Sequence, residues 1–173
     1  MQTKKLTLAA MFLAIGQVLP FITGQIPQIG VMLSPMHFPI FLCAFFCGPS
    51  YALIVGFICP LLRSILFNMP VMFPNAIGMA FELAAYGLIT GTIYRLFKKK
   101  NLVSIYTSLI VGMIGGRIVW GLAQTILMSI SGGDAFTLNA FLTKGFINAI
   151  PGIIAQLILI PIIVYSLRNK TVD

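Results

Sequence analysis

Apolar runs long enough to cross a lipid bilayer take up most of this sequence and leave little else to build with. A membrane-spanning helix needs about 20 predominantly apolar residues. Six runs fit that pattern: Leu6–Ile22, Met32–Cys47, Tyr51–Phe67, Asn75–Leu96, Val103–Ile130 and Leu138–Leu167. Of the 173 residues, 59% are hydrophobic and 8% charged, and the mean hydropathy is +1.03. A soluble domain of this length needs a polar surface that such a composition cannot supply. The expected fold is all-α: a polytopic bundle of six transmembrane helices forming a single membrane-embedded domain over residues 1–173. Such a chain has no room for a nucleotide-binding or soluble catalytic domain.

The net charge is +8, which in a soluble protein would suggest nucleic acid. Its placement points to a membrane instead. Lys4, Lys5, Arg95, Lys98, Lys99, Lys100, Arg168 and Lys170 sit at helix ends. Basic loops stay on the cytoplasmic side. With the N-terminus inside, the Gly48 turn, the Arg95–Lys100 cluster and the Arg168 tail all fall inside as well. The opposite loops, near Gln25, Asn68 and Asp134, carry no Lys or Arg. Adding or dropping one helix would put a basic cluster outside, so both termini are expected in the cytoplasm. Lys4 and Lys5 ahead of an apolar run resemble a signal peptide, but the segment is expected to be a retained first helix. Cys43, Cys47 and Cys59 are odd in number and lie in apolar runs, as packing residues rather than a disulfide or metal framework.

Four ionisable residues fall inside the expected spans: Arg63, Glu82, Arg117 and Lys144. A charge at mid-bilayer costs at least about 2.5–3.5 kcal/mol, so each needs a partner or a purpose. Polar neighbours share their helix faces. Asn75, Gly78, Glu82 and Tyr86 form one stripe; Arg117, Trp120, Gly121 and Gln124 form a second; Lys144, Asn148, Gly152 and Gln156 form a third. His37 joins them from the outer end of the second helix. Stripes that open outward describe a cavity entered from outside.

Internal pairing of Glu82 with an arginine would tie helices together, yet one carboxylate faces three cations. Arg63 or Lys144 would reach water by snorkelling, whereas Arg117 is too deep to do so easily. The remaining excess of positive charge calls for an anionic or strongly hydrogen-bonding ligand. His37 is either a hydrogen-bonded packing residue or a ligand contact, and Trp120 either core or a stacking wall. No catalytic signature is present: there is no His-Glu-x-x-His, no serine elbow and no glycine-rich phosphate loop. On the first helix, Ala10 and Ala14 form a small-xxx-small pair that would let another helix approach closely in lipid.

Taken together the chain resembles the S components of energy-coupling factor (ECF) transporters. The resemblance rests on the six-helix plan, on Ala10 and Ala14, and on three stretches: Leu33-Ser34-Pro35-Met36-His37-Phe38-Pro39, Pro60-Leu61-Leu62-Arg63-Ser64 and Phe81-Glu82-Leu83-Ala84-Ala85-Tyr86-Gly87. It covers nearly the whole chain. It implies a subunit that binds a vitamin or metal from outside, docks on a transmembrane T component and topples to deliver it, with two ABC ATPases supplying energy. It also implies that Ala10 and Ala14 face the T component, in the plasma membrane of a prokaryote, with no enzymatic activity and no cofactor.

A single histidine argues against nickel or cobalt, whose sites want several ligands. The excess of membrane cations favours a carboxylate-bearing vitamin over a cationic one such as thiamine. Pantothenate fits best, with Arg63 or Lys144 on its carboxylate and Asn75, Asn148 or Gln124 on its hydroxyl and amide groups. Pyridoxine-type, folate-type and cobamide-type ligands stay open. So do two other classes: a small membrane enzyme using Glu82 and His37, and a scaffold without ligand.

Overall fold

The computed structural model describes residues 2–22, 32–131, 143 and 148–169. Among them the regular elements are all helical: α1 (Gln2–Ile22), α2 (His37–Phe46), α3 (Pro49–Phe67), α4 (Ile77–Leu96), α5 (Leu102–Ser131) and α6 (Ile150–Asn169). Five stretches are long and apolar enough to cross a membrane: α1, α3, α5, α6, and α4 taken with the turn that leads into it.

The second expected span is shorter than the sequence suggests. Instead of Met32–Cys47, a regular helix covers His37–Phe46, ten residues. At about 1.5 Å per residue this is about 15 Å, half of a hydrocarbon core about 30 Å thick. The cause is local. Met32 and Leu33 are helical, but Ser34 takes a positive φ of 46° and Pro35 follows, where the helical ladder cannot run on. Pro39 is tolerated because it lies in the first turn of α2, where amides lack intrahelical partners anyway. Beyond His37 the helix is apolar all round, and Ile40, Phe41, Cys43 and Ala44 are fully or almost fully buried. It is a core element, wrapped by the others.

Two further starts are irregular. Asn75 lies not in α4 but in a π-type turn, Met72–Ala76, inside which Phe73 is extended; the regular helix begins at Ile77. The last helix was expected from Leu138. Residues 132–142 and 144–147 lie outside the described residues, but Asn148 and Ala149 form a turn and Ile150 begins α6. The Asn148 amide donates to the Thr143 carbonyl at 2.9 Å, a step of five residues. The other helices match their expected ranges to within a few residues. All three cysteines are free and buried.

The centre of the bundle is α4, sandwiched between α3 and α5. Its approach to α3 is backbone to backbone. A Cβ on Gly87 would stand 2.6 Å from the Ala52 carbonyl, and one on Gly56 would strike the Leu83 carbonyl. With no hydrophobic drive between helices in lipid, such close contact is what holds them. At one end, Gly48 turns α2 into α3 with φ 99°. The Arg95 guanidinium fills the space where a side chain there would go. That contact puts the α2–α3 turn and the C-terminal end of α4 at the same end of the bundle. At the opposite end α3 stops at Asn68, which is left-handed and donates its amide to the Ser64 carbonyl at 3.0 Å.

Candidate functional site

Glu82 is the focus of the polar interior. It stands on α4, 2% exposed, and its Oε1 receives three groups from three helices. The Arg117 guanidinium of α5 lies 2.7 Å away. The Tyr86 hydroxyl, one turn along α4, donates at 2.8 Å. His37 Nε2, at the start of α2, is 3.7 Å away, too far for a hydrogen bond. The imidazole rests against the Tyr86 ring at 5.3 Å between centroids, and among the described residues neither of its nitrogens has a hydrogen-bond partner. Helix spacing explains the grouping. Glu82 and Tyr86 are four apart and share a face, and Gly116 next to Arg117 leaves room for the Tyr86 ring against α5.

The rest of the α5 stripe continues from this cluster towards Ser131. Trp120 is buried and the Arg117 guanidinium lies 5.9 Å from its ring centroid. Gln124 is buried as well; its amide covers Gly78, where a Cβ would come within 2.7 Å of Nε2. Gly78 is one turn before Glu82, so Gln124 sits one turn beyond the ion pair. Asn75 and Asn148 are exposed, at the entrances to α4 and α6. Lys144 lies outside the described residues. Of the sequence candidates, His37, Glu82, Arg117 and Trp120 are thus brought together, with Gln124 beside them.

Arg63 is elsewhere. It is 4% exposed and points from α3 to α1, where its Nη1 donates to the Gln17 carbonyl at 2.6 Å. Phe21 and Phe67 flank the guanidinium, at 4.9 and 5.2 Å to their centroids. Its charge meets a carbonyl dipole and two ring faces.

Sequence reasoning placed Tyr86 on the right stripe but gave it no role; its spacing from Glu82 was the available signal. It missed Gln17, the polar residue buried in α1 beside Pro20, as the partner of Arg63. It also left Gln156 unassigned. That amide is 3% exposed and lines a mostly apolar cleft of about 180 Å³ between α5 and α6, together with Tyr86, Met113, Arg117, Ile153 and Leu157. Among the described residues no group of three or more His, Cys, Asp or Glu lies close enough to hold a metal ion.

A multi-pass helical bundle, with an arginine paired to a buried glutamate in its interior, defines an integral membrane protein with a polar interior. The family model for the substrate-specific component of ECF transporters matches residues 4–164, and the chain belongs to that family. No curated protein matches it, and no solved structure does.

Proposed function

We propose that this chain binds a carboxylate-bearing vitamin, with pantothenate the best match, from outside a prokaryotic cell. It delivers the vitamin through a transmembrane T component driven by two ABC ATPases, and both its termini are cytoplasmic. The observation that carries the substrate class is the closed Glu82–Arg117 pair at 2.7 Å. With the intramembrane carboxylate already neutralised, Arg63 and Lys144 have no acidic partner in the expected spans. Arg63 is turned to the Gln17 carbonyl, which leaves Lys144 as the contact for the ligand's carboxylate. A charged ammonium in lipid needs water or an anion. Asn148 and Asn75, exposed at the helix entrances, supply hydrogen bonds to hydroxyl and amide groups, with Gln124 deeper. Trp120 forms a wall, and His37 with the Glu82–Arg117 pair closes the floor.

An enzyme built on Glu82 and His37 fits less well. The Glu82 oxygen nearest His37 is already held by Arg117 and Tyr86, and the family is one of transport components.

The test is native mass spectrometry of the detergent-purified protein for a co-purified small molecule. Titration with pantothenate and with its uncharged alcohol, panthenol, follows, read by the fluorescence of the chain's one tryptophan. The acid is expected to bind about ten- to a hundredfold tighter, the worth of one charge-assisted contact. Equal binding of the two, or retention of a cationic vitamin instead, would overturn the substrate class.

A further inference from the structure

α1 carries Pro20 three residues after Gln17. The amide hydrogen that Pro20 lacks would have served the Gly16 carbonyl, and the proline ring presses on that turn of α1. At the next carbonyl, that of Gln17, a neighbouring helix adds a donor: Arg63 Nη1 lies 2.6 Å from it. Gln17 reciprocates: its Nε2 donates to the Cys59 carbonyl at 2.9 Å and lies 3.4 Å from Cys59 Sγ. Both polar side chains are buried, Gln17 at 9% and Arg63 at 4% exposure. Two helices are therefore tied by a reciprocal pair of side-chain-to-backbone bonds.

Elsewhere α1 packs through small or apolar groups such as Ala9, Phe12 and Gly16. Such contacts bring the helices close without the directionality of a hydrogen bond. The hydrogen-bonded tie is directional. It holds Gln17 inward and so fixes the rotation of α1 about its own axis. The face turned away from the bundle carries Thr7, Ala10, Ala14 and Val18, all exposed.

We propose that Arg63 is a positioning residue for partner docking: together with Gln17 it sets the rotational register in which α1 presents the Thr7–Ala10–Ala14–Val18 face to the transmembrane partner subunit. This rests on the reading above that α1 is the docking helix. Arginine reaches this carbonyl from α3 with Phe21 and Phe67 at its flanks, and its charge-assisted bond is stronger than one from a neutral donor.

The test uses the chain co-expressed with its T component and ATPases, in wild type, Arg63→Met, Arg63→Lys, Gln17→Leu and, as an interface control, Ala14→Trp. Two quantities are read on each: association with the partner subunits, and pantothenate affinity of the isolated chain by Trp120 fluorescence. Arg63→Met and Gln17→Leu are expected to weaken association about tenfold or more, as Ala14→Trp does, with pantothenate affinity unchanged. Arg63→Lys, which still donates to the carbonyl, recovers most of the association. If the methionine variant is not recovered folded, the order of Arg63→Lys above Gln17→Leu decides. Loss of pantothenate affinity with association intact would make Arg63 a ligand contact and overturn the proposal, as would equal association in every Arg63 and Gln17 variant. A wild type that ignores pantothenate, while association still depends on Arg63, would refute the vitamin assignment and uphold the docking role.

Discussion

Three groups converge on a single oxygen of Glu82, and the cost of disturbing them follows from burial. Removing one partner of a buried pair leaves a charge stranded, at about 3–5 kcal/mol, whereas replacing both with apolar residues is often neutral. Arg117→Met alone should therefore lower the thermal stability of the detergent-solubilised protein sharply, and Arg117→Met with Glu82→Met should recover most of it. A double variant no more stable than the single would contradict the pairing at 2.7 Å. That Glu82 would find an arginine was legible, because it is the sole carboxylate in the expected spans and its charge must be met. Which arginine was not legible, since the choice depends on helix rotation. Arg63 faces α1, and its partner is a backbone carbonyl, which leaves no mark in the sequence. For Lys144 the expectation concerns the ligand: Lys144→Met should abolish the preference for pantothenate over panthenol, a loss of about ten- to a hundredfold. A variant that keeps the preference in fluorescence titrations would move the carboxylate contact elsewhere.

Helix identity was readable from apolar run length, and α1, α3 and α5 follow those runs closely. Helix starts were less readable where proline and tight turns intervene. Pro35 is visible in the sequence, but its consequence, a core helix of ten residues in place of a full span, depends on burial by neighbours. The π-type turn that carries Asn75 and the turn at Asn148 have the same origin: each takes a polar residue out of the helix it was assigned to and exposes it. At the α3–α4 crossing, Gly87→Leu should destabilise the fold by about 1–3 kcal/mol or more, because its Cβ would stand 2.6 Å from the Ala52 carbonyl. A melting temperature equal to that of wild type would contradict so close a crossing. On α1, Ala10 and Ala14 are both exposed, as a docking face requires. Ala14→Trp should impair uptake by the assembled transporter and leave vitamin binding by the isolated chain unchanged; loss of both, or of neither, would count against the interface role.

For the whole molecule, the basic ends of the sequence argue orientation, and the packing of Arg95 over Gly48 places two of the expected cytoplasmic features at the same end of the bundle. The family match over residues 4–164 accounts for nearly all of the chain as a substrate-specific component. Such a component recognises cargo and leaves energy conversion to others. The most direct measurement is uptake of radiolabelled pantothenate into proteoliposomes, with the chain alone and with its T component, ATPases and ATP. The account predicts saturable binding but no accumulation with the chain alone, and ATP-dependent accumulation with the partners. Concentrative uptake by the chain alone would contradict it.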